Sequence, residues 1–130
     1  MKFYKCNKCG NIIILLEDSG VIPTCCGETM VELKPLMKDA GQEKHVPVYT
    51  CEDSKVHVKV GETPHPMEKE HYIKWILLET NKGKYIHSLN PTDKPEVCFK
   101  LCNDEMIVAV YEFCNVHSLW GKIDEQENNC

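Results

Sequence analysis

The chain has 130 residues and a formal net charge of −5, with 42% hydrophobic and 27% charged residues. That is about one domain of sequence with enough apolar content for a core, which excludes large multidomain assemblies and a disordered chain. All fifteen cationic side chains are lysines, so no arginine fork is available for phosphates or base edges, and no nucleic-acid partner is expected.

The longest apolar run, Ile12–Leu16, falls far short of the roughly 20 residues that cross a bilayer. The N-terminus carries no signal-peptide core, so the expectation is a soluble, cytoplasmic protein with no membrane partner. Nine cysteines, an odd number, in a chain without an export signal point to metal or redox chemistry rather than to a disulfide framework.

In chain order, the first element is a small cysteine-bearing module. It reads Cys6-x-x-Cys9, the apolar run Ile12–Leu16, a turn at Glu17–Gly20, the pair Cys25-Cys26 followed by Gly27, and the short run Met30–Leu33. This pattern predicts three short strands around two cysteine knuckles. A piece of this size lies below the ~40 residues at which a hydrophobic core begins to suffice, so a metal or a partner chain must supply stability. Four thiolates at tetrahedral geometry fit zinc or a single iron, a structural zinc being the plain alternative. Adjacent side chains of an extended strand point to opposite faces, so Cys25 and Cys26 can share one ion only if the backbone bends, with Gly27 placed to help.

From Pro35 to Glu43 the sequence turns polar and, with Asp39, Gly41 and Gln42, suits a linker. The boundary is placed near residue 36, giving domains of 1–36 and 37–130. Beyond it, β-rich runs recur about every ten residues, at 46–50, 55–60, 72–80, 84–89, 97–101, 106–113 and 116–120, separated by turn-forming clusters. Seven such strands predict an antiparallel sandwich. In the second of them Val56, Val58 and Val60 share one face, while Lys55, His57 and Lys59 share the other.

Three separated segments of the second domain carry metal-ligating chemistry: Glu43-Lys44-His45-Val46-Pro47, His65-Pro66-x(4)-His71-Tyr72-Ile73, and Cys114-Asn115-x-His117-x-Leu119-Trp120. Loops at one end of a sandwich can bring such segments together. Four imidazoles and a thiolate are one ligand more than tetrahedral zinc normally accepts, and they suit an iron that keeps a sixth position vacant. By contrast His57 reads as solvated and His87 has no partner at ligand spacing. Cys51, Cys98 and Cys102 read as small buried hydrophobes and Cys130 as a tail residue, while Trp75, Trp120 and Tyr72 read as core or site wall.

Taken in order, Cys6, Cys9, Cys25 and Cys26, then Glu-Lys-His-Val-Pro, His-Pro-x(4)-His-Tyr-Ile and Cys-Asn-x-His-x-Leu-Trp, resemble the desulfoferrodoxins, two-iron superoxide reductases, over nearly the whole chain. The resemblance implies an all-β protein: a small rubredoxin- or desulforedoxin-like metal-knuckle domain, then a neelaredoxin-like, seven-stranded immunoglobulin-like antiparallel sandwich. It implies two irons per chain. One is an FeCys4 centre on Cys6, Cys9, Cys25 and Cys26. The other is an FeHis4Cys centre with His45, His65, His71 and His117 as equatorial nitrogens and Cys114 as axial sulfur. Glu43 and Lys44 match the family's loop beside the vacant position and are the catalytic candidates, with Glu43 closing over ferric iron after product leaves. The implied reaction is one-electron, inner-sphere reduction of superoxide to hydrogen peroxide, with a rubredoxin-like electron donor and a homodimeric assembly.

Two other readings compete. A small electron-transfer metalloprotein, blue-copper-like or rubredoxin-like, is evoked by Cys114-x-x-His117, but the methionine expected after that histidine is missing and there are two histidines too many. A zinc-ribbon-like binding module would use only the front cysteines and leave five further donors without a task.

Overall fold

The computed structural model of the protein describes residues 1–39 and 44–125. Its elements are β1 (Lys2–Lys5), β2 (Ile12–Leu15), β3 (Thr24–Cys25), β4 (Glu28–Thr29), β5 (Val31–Leu33), β6 (Pro47–Glu52), β7 (Lys55–Val60), β8 (Ile73–Thr80), β9 (Lys84–Ser88), β10 (Glu96–Lys100), β11 (Ile107–Cys114) and β12 (Ser118–Ile123). No helix occurs among the described residues, so the fold is all-β as expected. The chain divides into two compact units, Met1–Lys34 and Pro35–Cys130.

In the first unit, β1 is the centre of an antiparallel sheet ordered β2-β1-β5, with Phe3 opposite both Ile14 and Leu33. A two-residue ribbon pairs β3 with β4, a pairing the sequence pattern did not signal. The buried cluster is small: Tyr4, Cys6 and Met30, with Ile13, Leu15 and Cys25 packed against it. A cysteine that belongs to the core as well as to the knuckle ties the fold of this unit to the state of its thiols.

The second unit is an immunoglobulin-like sandwich. A three-stranded sheet, β10-β7-β6, and a four-stranded sheet, β12-β11-β8-β9, are both antiparallel. Each of the seven predicted runs overlaps one of these strands. The predicted alternation in β7 holds: Val56, Val58 and Val60 point inward at 0–1% exposure. There they join Ile76, Leu78 and Val110 in one core cluster, each such burial contributing about 1.5–3 kcal/mol.

On the outward face, His57 is half-buried and lies 3.9 Å from a carboxylate oxygen of Glu96. His87 is exposed and Trp75 stacks on Phe113 with centroids 5.7 Å apart. Cys98 and Cys102 correct the sequence reading. Both are exposed, because Cys98 pairs with His57 on the outer face of β10 and β7 and Cys102 follows the end of β10. Cys51 packs partly buried against the core, but as a disulfide-bonded residue and not as a free thiol.

Candidate metal centres

The first cluster forms where the Cys6–Cys9 turn meets the β3–β4 ribbon. The N–H of Gly10 donates to the carbonyl of Cys6 at 2.9 Å, closing the turn, and the N–H groups of Cys9 and Asn11 point at the sulfurs of Cys6 and Cys9, each at 3.5 Å. The bend that lets Cys25 and Cys26 face one point falls on Cys26 itself, at φ 53°, as well as on Gly27, at φ 74°.

The sulfurs of Cys9 and Cys25 are 3.6 Å apart and those of Cys25 and Cys26 4.0 Å. A tetrahedron of sulfurs about 2.3 Å from one ion has edges of about 3.8 Å, so the two spacings bracket that of a filled site. Hydrogen bonds from the Cys9 and Lys8 backbone hold the Cys6 thiol down at about 6, while bonding among the crowded thiols pushes Cys26 up to about 12. The Cys6 sulfur is thus prepared as an anion, while the raised thiols of Cys25 and Cys26 wait for a cation to ionise them.

The second cluster is built by three segments of the sandwich. His45 precedes β6, His65 and His71 lie between β7 and β8, and Cys114 ends β11 at the turn that carries His117 into β12. The four imidazoles form a closed ring. Centroids of neighbouring rings lie 4.8 Å (His45–His65), 4.7 Å (His65–His71), 5.0 Å (His71–His117) and 4.6 Å (His117–His45) apart, every pair edge to face. The Cys114 sulfur is 3.5 Å from His65 Nε2 and 3.8 Å from His117 Nδ1, and His45 Nε2 is 2.9 Å from His117 Nδ1.

The five donor atoms lie within 4.8 Å of one another. Nitrogens about 2.0–2.1 Å from one ion and at right angles stand about 3 Å apart, so the set has the size of a single coordination sphere. His71 Nε2 is buried with no hydrogen-bond partner among the described residues. A buried nitrogen left bare is costly unless something else takes its lone pair. The donor set fits one first-row metal ion, and imidazoles with a thiolate suit iron.

Burial orders this cluster from inside to outside. Cys114 and His65 are buried, His45 and His71 partly so, and His117 is exposed. Burial lowers His65 to about 4, against the opposing hydrogen bond between its Nδ1 and the Pro66 carbonyl at 2.7 Å. Burial likewise lowers His45 and His71. These rings are neutral at physiological pH and have lone pairs to give. Burial pushes the Cys114 thiol up, so a cation beside it is needed to hold it as thiolate.

Lys44, half-buried, adds positive charge that also lowers His71. Glu43 lies outside the described residues. Trp120 forms a wall, stacked on His45 at 4.6 Å and donating its indole N–H to the His117 carbonyl at 3.0 Å.

Sequence reasoning missed three residues that hold this arrangement. Asn115 accepts the Tyr72 N–H at 2.9 Å and donates to the Glu70 carbonyl at 3.0 Å, pinning the His71 segment to the Cys114–His117 turn. Gly61 lies against the backbone of Lys44. Asp39, read as a linker residue, is buried against His45. Beyond these, Glu112 is wholly buried with both carboxylate oxygens unpartnered among the described residues, and burial, with the nearby Asp39 charge, raises its pKa far above the usual range.

A family model described as desulfoferrodoxin matches residues 37–123, a span that contains every donor of the five-donor cluster. Desulfoferrodoxin from Syntrophotalea carbinolica is 43% identical over 121 residues, covering 93% of this chain and 94% of its own. A desulfoferrodoxin homolog from Archaeoglobus fulgidus is 40% identical over 120 residues, covering 92% and 94%. Among solved structures, the superoxide reductase from Treponema pallidum superimposes with a TM-score of 0.77 at 33% identity, covering 93% of this chain and 95% of that one. Motif order, two donor clusters and a match through nine-tenths of the sequence agree: the chain belongs to the desulfoferrodoxin family.

Proposed function

We propose that the protein is a superoxide reductase, converting superoxide to hydrogen peroxide at the five-donor centre and regaining its electron from an external one-electron donor. The observation that carries this reading is the closed ring of four imidazoles with the Cys114 sulfur at its buried end, on the family's fold. Family membership and the two donor sets support iron binding. His45, His65, His71, His117 and Cys114 would hold one iron, and Cys6, Cys9, Cys25 and Cys26 a second. Iron held by the nitrogen–sulfur set would supply the one electron that, with two protons, converts each superoxide anion to hydrogen peroxide.

The chain's own residues prepare that chemistry. His117 is exposed while Cys114 is buried, so a small anion can reach the ring from its His117 side without uncovering the sulfur. Lys44 places a cation near His71, where it draws anions in and holds water from which protons are taken. The net charge of −5 opposes capture, but charges more than about 8–10 Å away are screened at physiological salt, so the nearest cation dominates. To Glu43 the resemblance assigns closure over the site once product has left.

The remaining proposals follow the family: a rubredoxin-like donor, a homodimer, a cytoplasmic location, and a front centre that relays electrons or stabilises the assembly. Among the described residues no helix is long and apolar enough to cross a membrane. The test is a stopped-flow mixture of reduced protein and superoxide, scored by peroxide yield. One peroxide per superoxide with matching donor oxidation supports the reading. Half a peroxide per superoxide with no donor consumed means dismutation and overturns it.

A further inference from the structure

In a metal-ligating histidine, the nitrogen that faces the ion is set by the hydrogen bond the other one makes, and two histidines of the second centre have such a partner. For His65 that partner is the Pro66 carbonyl. For His45 it is Asp39, whose Oδ1 lies 3.1 Å from His45 Nδ1. The same carboxylate accepts the backbone N–H of His45, at 3.1 Å to Oδ1 and 3.3 Å to Oδ2, and that of Val46, at 2.9 Å to Oδ2.

Its side chain is only 7% exposed. Asp39 is delivered there by Leu36, whose N–H donates to Leu119 at 3.0 Å and whose carbonyl accepts from Gly121 at 2.9 Å. This pairing runs alongside Trp120, the residue that stacks on His45. The supposed linker is thus a short strap laid along β12, ending in a buried carboxylate that faces two backbone N–H groups and one imidazole nitrogen.

We infer that Asp39 is a positioning residue of the five-donor centre: it locks His45 as the Nδ1–H tautomer, so that Nε2 faces the cluster as a bare lone pair. The inference rests on the metal-centre reading above and adds a residue outside its ligand set. A carboxylate offers only acceptors, so the hydrogen in the Asp39–His45 contact must sit on Nδ1, and a neutral imidazole has no second proton for Nε2.

The consequence passes to the next ring. The 2.9 Å contact between His45 Nε2 and His117 Nδ1 needs one hydrogen, and His45 cannot supply it. In the metal-free protein it therefore belongs to His117 Nδ1, where it stands in for the ion. An ion bound at the cluster would displace that proton from Nδ1, and a neutral His117 would then carry its one hydrogen on Nε2.

The test uses the full-length chain, labelled with 15N-histidine and freed of metal by a chelator, above the imidazole titration range. Two-bond 1H–15N spectra of the unsubstituted chain should show both His45 and His117 protonated at Nδ1. Asp39→Asn keeps an oxygen for the backbone N–H groups but can donate its amide to Nδ1, so His45 should switch to Nε2–H. Asp39→Leu should leave a mixture.

Cobalt(II), followed by its visible bands, is the metal probe. Both variants should bind it about 10- to 100-fold more weakly at the five-donor centre, with the four-cysteine centre unchanged as internal control. Wild-type His45 protonated at Nε2, or an Asp39→Asn chain with wild-type tautomers and wild-type cobalt affinity, overturns the role of Asp39 alone. A wild-type chain that takes up no cobalt at this centre overturns the metal-centre reading and the inference with it.

Discussion

Gly61 gives the sharpest prediction that links the sandwich to its metal centre. It directly follows β7 at φ +79°, its N–H donates to the Val46 carbonyl at 3.2 Å, and a Cβ added to it would lie 2.6 Å from the carbonyl oxygens of both Lys44 and Thr63. Those are backbone atoms and cannot rotate away. Alanine there costs about 1–2 kcal/mol for the left-handed conformation and about 1–3 kcal/mol for forcing the neighbouring backbone aside. The total of about 2–5 kcal/mol is a large share of the ~5–15 kcal/mol that holds a domain together, and for a unit of this size corresponds to a melting point lower by roughly 10–30 °C.

The damage is directed. Lys44 adjoins His45 and Thr63 lies two residues from His65, so relief of the clash pulls two imidazoles out of the ring. Gly61→Ala should therefore lose metal from the five-donor centre while the four-cysteine centre, in the other unit, stays loaded. Thermal unfolding by circular dichroism and metal content resolved by the two thiolate spectra are the measurements. A variant that melts within about 2 °C of the parent with both centres full would refute the reasoning.

Replacing Cys114 by Ser should abolish superoxide reduction and leave the spectrum of the four-cysteine centre intact; undiminished peroxide formation would remove Cys114 from the site. Lys44→Ala should slow the second-order reaction with superoxide a few-fold and flatten its dependence on ionic strength without emptying the centre, which rate measurements over a salt series check. Cys25→Ser should strip metal from the front unit and destabilise it, with peroxide formation preserved when a chemical reductant replaces the donor; metal analysis and stopped flow report the two parts separately. Glu105 is 2% exposed and accepts from Thr80, from Tyr85 at 2.8 Å and from the Cys102 N–H at 3.1 Å. Burial pushes its carboxyl up, but these bonds outweigh burial and hold it below the usual range. A carboxyl lowered in the folded state contributes stability above its unfolded pKa and loses it as pH falls through the folded one. Acid unfolding followed by fluorescence should therefore be steeper in the parent than in Glu105→Gln, which should also be less stable at neutral pH by about 1–3 kcal/mol.

Much of the sandwich was legible because β-branched residues at alternate positions and turn residues between them are local signals: Lys55–Val60 announces its inward valines without reference to any other strand. The β3–β4 ribbon was not, since two-residue strands carry no period. Cys98 and Cys102 were misread because cysteine is apolar enough to be buried, and only the register of β10 on β7 shows which way Cys98 points. Asp39 was misread for a similar reason: in a polar stretch it looks like a solvated linker residue, and nothing local reveals that Leu36 pairs beside Trp120.

The donors themselves stand in the amino-acid order. Thiols and imidazoles are side chains that ligate first-row metals, and their spacing names Cys6, Cys9, Cys25, Cys26, His45, His65, His71, Cys114 and His117 as candidate donors without any coordinates. Which nitrogen of each imidazole faces inward, which carboxylate holds it there, and that Lys44 rests against a glycine that tolerates no side chain are matters of ångströms between residues far apart in the chain. Packing one sheet on the other sets those distances, and local patterns of hydrophobicity carry no record of them.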